Sequence, residues 1–231
     1  MKKTIQRVLA AVILFAMILS GGFSEVGKVH AEKQQGTTKR AIYVVFDNSG
    51  SMYGDGNKAW SQATYAMEVF AAMMNYESGD VMKVFPMHDI TTDGNTGSAT
   101  KSSMEIRGKD DIAQIHNMYT PKPGGTPYTQ VNNAAGELTK LLNAGSVDEG
   151  WLVVLTDGDF DNDIPASGLK ADLEGKAAAN ENLYVQYLAI GTDVKNIPEG
   201  NADKGLYAQK AGNTSEVVNE LAEISNRIFK R

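Results

Sequence analysis

The chain has 231 residues, 42% of them hydrophobic, which is enough for one ordinary domain with a full core and an additional segment. Its formal net charge is −6 and it contains no cysteine, so a disulfide framework and a lipoprotein thioether anchor are both excluded. The acidic balance argues against nucleic acid, whose binding is dominated by phosphate neutralisation, and against anionic lipid.

The additional segment comes first. Lys2, Lys3 and Arg7 precede an apolar run from Val8 to Leu19, and Val29-His30-Ala31 places small residues where a signal peptidase needs them. Residues 1–31 therefore read as a secretory signal peptide cleaved near Ala31, and the mature protein as secreted. The apolar run is about 12 residues, shorter than the roughly 20 needed to cross a bilayer, so no stable membrane span is expected after cleavage. The distance from Leu19 to Ala31 keeps an uncleaved signal anchor as the alternative. Cleavage removes four basic residues (Lys2, Lys3, Arg7, Lys28) and one acidic residue (Glu25), moving the net charge from −6 to −9. Residues 32–39, EKQQGTTK, are polar and aperiodic and read as a short leader.

Ile42 to Phe46 is a β-branched and aromatic run that predicts a buried strand, halted at Asp47 by the polar turn Asn48-Ser49-Gly50-Ser51. Asp47, Ser49 and Ser51 stand at i, i+2 and i+4 on the lip of the expected sheet. Ligands of open α/β sheets bind outside the carboxyl ends of the strands. A donor set made only of oxygens suits a hard divalent cation such as Mg²⁺. An Asp/Ser/Gly turn with only local hydrogen bonds is the alternative.

Met52 to Asn57 is expected to be a loop, and Lys58 to Tyr76 a helix with Ala63, Met67, Phe70 and Met74 on one face. Met67, Met73 and Met74 read as core. Val81 to Met87 is a second strand, Thr91 to Thr100 a loop, Ser103 to Arg107 a short antiparallel edge strand and Asp110 to Asn117 a short helix. His88 and His116 lie in separate elements and read as ordinary polar side chains. After Pro121 to Gly125, Thr126 occupies a position suited to an N-cap with Pro127 at the first helical residue; its hydroxyl is alternatively free to face a cation. That helix runs through Leu142.

Trp151 to Thr156, WLVVLT, is the most hydrophobic strand and reads as central and parallel, ending at Asp157. Asp157, Asp159, Asp161 and Asp163 alternate, but Asn162 and Gly168 stand where an EF-hand loop requires Gly and Glu, so Asp159 to Asp163 reads as a solvated acidic loop. Ser167 to Asn182 is expected to be a helix, Leu183 to Ile190 a strand, Gly205 to Ala208 a short last strand and Thr214 to Lys230 a final helix, with Asn213 and Glu216 as a capping box. The alternation predicts an α/β fold: a doubly wound, mostly parallel sheet with one short antiparallel edge strand and helices on both faces.

Taken together, Asp47-x-Ser49-x-Ser51 after the first strand, Thr126 before a helix and Asp157 after a central strand resemble the von Willebrand factor A (vWA) domain with an intact metal-ion-dependent adhesion site. The resemblance covers about residues 39–231 and places the domain at 40–231. It implies a metal set of Asp47, Ser49, Ser51, Thr126 and Asp157, with Mg²⁺, or Mn²⁺ or Ca²⁺, as the ion. The three hydroxyls would touch the cation, and the two carboxylates would act mainly through waters. A coordination position would stay open for an acidic side chain of a protein partner. A vWA protein of secreted bacterial type is thus expected, with no enzymatic activity: there is no cysteine, the two mature histidines stand apart and no serine sits in a GxSxG elbow. No LPxTG-like sorting signal or apolar span stands near Phe229 to Arg231, so the protein is expected to be released or held by a partner. Two alternatives are a structural vWA domain in an envelope assembly and a phosphatase of the haloacid dehalogenase type. The latter is suggested by Asp157-Gly158-Asp159, but that family carries its DxD pair after the first strand.

Overall fold

The computed structural model describes residues 38–87, 103–107, 111, 126–157, 160, 164, 166–191 and 197–229, all within the compact unit Thr37–Arg231. Among the described residues six strands form one sheet: β1 (Arg40–Phe46), β2 (Val81–Pro86), β3 (Met104–Ile106), β4 (Glu149–Thr156), β5 (Leu183–Ile190) and β6 (Leu206–Ala211). Four helices accompany them: α1 (Gly54–Met73), α2 (Thr129–Asn143), α3 (Ala166–Ala177) and α4 (Thr214–Phe229). The spatial order is β3-β2-β1-β4-β5-β6, with only β3 antiparallel, as expected from the sequence.

The strand sequences explain the layering. β1, β4 and β5 are buried almost end to end, which requires cover on both faces. Ile42, Val44 and Phe46 point to the same side as Trp151, Val153 and Leu155, and pack under α1 and α4. Ala41, Tyr43 and Val45 point the other way, with Leu152 and Val154, and pack under α2 and α3. The α1 stripe, Trp60, Ala63, Met67, Phe70 and Met74, is buried as its spacing predicts, whereas Met73 is only half-buried.

Several element ends differ from expectation, each for a local reason. A 3-10 turn at Gly50–Tyr53 runs directly into α1, so Met52 to Asn57 is helical despite two glycines: continuation from an existing turn outweighs weak propensity. α1 stops at Met73 rather than Tyr76. There the buried Asp80 carboxylate accepts the Asn75 and Arg40 N–H groups (both 3.0 Å), and Asn75 caps the turn Tyr76–Ser78. That turn closes on Gly79 at φ 98°, a left-handed conformation that glycine adopts without strain. α3 ends at Ala177, not Asn182: beyond it the Asn180 side-chain Oδ1 accepts the Asn182 N–H (2.9 Å), a local bond that competes with the helix. β6 extends to Ala211; as an edge strand it carries Gln209 and Lys210 exposed, which masks its strand character in the sequence.

The capping box of α4 is present. The Glu216 N–H donates to Asn213 Oδ1 (3.0 Å), the Asn213 amide to Glu216 Oε1 (2.6 Å), and the Gly212 N–H to Glu216 Oε2 (2.7 Å). Asn213→Ala is expected to cost about 1 kcal/mol, or roughly 2–4 °C in Tm by calorimetry, because it orphans one helix N–H and frees the Glu216 side chain. Residues 1–37, the loop Thr91 to Thr100, most of the helix expected at Asp110 to Asn117, His88, His116 and the aspartates Asp159, Asp161 and Asp163 lie outside the described residues.

Candidate functional site

The chain leaves β1 through α1 towards β2, and leaves β4 through α3 towards β5, in opposite directions along the sheet. β1 and β4 are parallel neighbours, with Phe46 opposite Leu155, so a crevice opens above their carboxyl ends. Asp47 follows β1 and Asp157 follows β4. The two residues with the strongest claim to a ligand therefore sit on either side of the switch point.

Asp47 is fully buried, and its backbone N–H stays in the ladder, donating to the Leu155 carbonyl (2.9 Å). Its carboxylate is held from both sides. Oδ1 accepts the Ser49 N–H (2.9 Å), and Oδ2 accepts the Thr156 hydroxyl (2.7 Å). Ser49 is buried and Ser51 exposed; their hydroxyls are hydrogen-bonded to each other at 3.0 Å. Burial, and then repulsion from Asp157, push the Asp47 carboxyl up to about 6, against the lowering effect of its bonds to Ser49 and Thr156. Three of the residues singled out in the sequence, Asp47, Ser49 and Ser51, are thus linked by hydrogen bonds, and Asp157 follows the neighbouring strand.

Among the described residues Thr126 makes no bond to Asp47, Ser49 or Ser51 and is placed only by its neighbours in the chain. It is buried, and it lies three residues ahead of α2. The first turn of α2 is fastened to the same rim, because Gln130 donates to the carbonyl of Pro86 (3.1 Å), the β2 residue opposite Phe46. The expected N-cap role of Thr126 is not observed. α2 begins at Thr129 with Tyr128 in the cap position, and no side chain caps it. Thr156 had no assigned role in the sequence reading. Its signal was available: it is the last residue of β4, one step beyond the register partner of Phe46, and its hydroxyl reaches Asp47 for that reason.

The donor chemistry fits a hard cation. Among the described residues no three His, Cys, Asp or Glu side chains cluster; the candidate donors read from the sequence are two carboxylates and three hydroxyls, a set better suited to hard than to soft metals. Neighbouring ligands of an octahedral Mg²⁺ at 2.0–2.1 Å lie about 3 Å apart. The Ser49 and Ser51 hydroxyls already stand at 3.0 Å. A cation would also offset the repulsion between Asp47 and Asp157.

No protein-family model and no curated protein matches the chain. Two crystal structures of the pilus adhesin SpaC from Lactobacillus rhamnosus GG, one of them in an open conformation, are similar in fold, each with TM-score 0.56 and 16% identity. Each alignment covers 87% of this chain but 31% of SpaC, so this chain spans about a third of the SpaC length. The fold is vWA-like. A crystal structure of manganese-loaded Plasmodium vivax TRAP protein overlaps more weakly, with TM-score 0.45 and 17% identity over 80% of this chain and 72% of that one. The rim carrying Asp47 and Asp157 lies outside the carboxyl ends of β1 and β4, where the winding of the sheet changes direction. No helix among the described residues is long and apolar enough to cross a membrane.

Proposed function

We propose that residues 40–231 form a secreted binding module that holds Mg²⁺, or Mn²⁺ or Ca²⁺, through Asp47, Ser49, Ser51, Thr126 and Asp157, and captures a protein through an acidic side chain of that partner. The observation that carries this reading is the Ser49–Ser51 hydroxyl pair at 3.0 Å beside a fully buried carboxylate. Both Asp47 oxygens are already engaged by Ser49 and Thr156, which favours a role for Asp47 through water rather than as a full direct ligand. A cation held mainly by neutral hydroxyls keeps most of its charge and attracts one more anion. The likeness in fold to a pilus adhesin is in keeping with an extracellular adhesive role.

The test is capture of protein from an envelope extract on the immobilised domain, first in Mg²⁺ and then in EDTA. Capture that requires Mg²⁺, and that a peptide bearing a free carboxylate competes away while its amide does not, supports the reading. Capture unchanged by EDTA rejects it.

One observation favours a second reading, a metal site that serves stability in an assembly. Asp47 ties the turn after β1 to the last residue of β4, so a bound ion would clamp two central strands. Metal that raises Tm, with no competition by any carboxylate, would select this reading over the first.

A further inference from the structure

We infer that Phe160 is a positioning residue for the cation site: its ring joins the segment after Asp157 to the segment after Thr126, and so sets the distance between two ligand-bearing strings that no strand pairing connects. This inference rests on the metal reading above.

β1 and β4 are locked together by the sheet, which determines where Asp47, Ser49 and Asp157 start. Thr126 has no such tie, since it precedes a helix on one face of the sheet and lacks a capping role. Gln130 ties the first turn of α2 to Pro86 at the rim, and a second contact stands nearer to Thr126 in the chain. Phe160, three residues beyond Asp157, is an aromatic residue in an otherwise acidic stretch, yet it is only 9% exposed. Its ring meets Tyr128 edge to face, centroids 4.8 Å apart at 84°, and lies 6.4 Å from Tyr187 of β5. Tyr128 is two residues beyond Thr126 and is the N-cap residue of α2.

Tyr128 is itself immobilised. Its hydroxyl donates to Asp172 Oδ2 on α3 (2.7 Å), the same oxygen that accepts from Lys176 Nζ (2.7 Å), and that ammonium lies 5.3 Å from the centre of the Tyr128 ring. Tyr187 sits in β5, directly opposite Val154 of β4. The Phe160 ring, three residues along the chain from Asp157, therefore packs against Tyr128, which is held by α3, and stands near Tyr187 of the sheet. Edge-to-face packing has a preferred distance and angle, unlike generic apolar contact, so it transmits position between the two segments. The contrast is with Leu183, which lies in the same core layer but at the opposite, amino end of β5.

The experiment measures Mg²⁺ affinity by isothermal titration calorimetry for wild type, Phe160→Ala, Phe160→Leu and Leu183→Ala, with Tm in EDTA for each. Phe160→Ala is expected to weaken Mg²⁺ binding about tenfold or more, in the range seen when supports of metal ligands are removed. Phe160→Leu, which keeps apolar volume but not the edge-to-face contact with Tyr128, should recover most of the Tm but not the Mg²⁺ affinity. Leu183→Ala should lower Tm at least as much as Phe160→Ala while leaving Mg²⁺ affinity within about twofold, since a cavity far from the rim costs stability alone. Where Phe160→Ala is too unstable to titrate, Phe160→Leu against Leu183→Ala carries the same comparison. Wild-type affinity in Phe160→Ala, or equal weakening in Leu183→Ala, overturns the positioning role while leaving the metal reading intact. Absence of Mg²⁺, Mn²⁺ and Ca²⁺ binding by wild type overturns both.

Discussion

Asp47→Asn is expected to weaken Mg²⁺ binding about 10- to 100-fold, while the metal-free protein at pH 7 melts at the same temperature as wild type or a few degrees higher. The substitution keeps shape and hydrogen bonds but removes charge. The asparagine Oδ1 can accept the Ser49 N–H, and the Thr156 hydroxyl can rotate to accept the new amide, so neither buried partner is orphaned. Alanine would leave both unpaired, at about 1–3 kcal/mol each, and confuse loss of metal with loss of fold.

The sign of the stability change follows from the Asp47 carboxyl, raised from 3.8 to about 6 by burial and by Asp157. A raised carboxyl is one whose ionised form the folded protein disfavours relative to the unfolded chain. That penalty is absent below about pH 4, grows between pH 4 and 6, and is fully present at pH 7. Asparagine never ionises and escapes it, and each kcal/mol recovered corresponds to about 2–4 °C in a domain of this size. The gap in Tm between variant and wild type in EDTA should therefore shrink as the pH is lowered from 7 to 4. A variant that binds Mg²⁺ as wild type does would remove Asp47 from the site, whatever its Tm.

The second large effect is on stability. Mg²⁺ at about 100 times its Kd is expected to stabilise the wild-type domain by about 2.7 kcal/mol, a rise of roughly 5–11 °C in Tm by differential scanning calorimetry, reversed by EDTA. The physical source is binding to the folded state alone. On the proposed reading, oxygens from the turn after β1, the segment before α2 and the end of β4 would hold the ion together, and β1 and β4 are neighbours only when the sheet has formed. The ion also offsets the repulsion that burdens Asp47. Asp47→Asn should show no such rise. Identical melting curves in Mg²⁺, Mn²⁺, Ca²⁺ and EDTA would remove the metal site altogether.

Legibility of the fold in the sequence followed burial. β1, β4 and β5 were readable because an unbroken apolar run can only be covered on both faces, and α1 and α4 because their apolar residues recur at helical spacing. Boundaries were readable less often. Gly54 to Asn57 joined α1 because a turn was already running into it, and β6 was underestimated because an edge strand presents polar residues to water. Thr126 illustrates the same limit at the site. Thr-Pro before a helix is a sound capping pattern, yet the helix starts later, and the hydroxyl is not used there.

The order of oxygen donors along the chain, their hardness and the strand each one follows were determined by the residues themselves. That the ends of β1 and β4, with Asp47 and Asp157 after them, lie side by side was decided by the pairing of the two strands, a contact between residues more than 100 positions apart that no local pattern encodes. Thr156 as the second hand on Asp47, and Phe160 as the link to α2, belong to the tertiary structure for the same reason: a side chain's partner across a sheet or between layers is selected by packing, after the elements have formed.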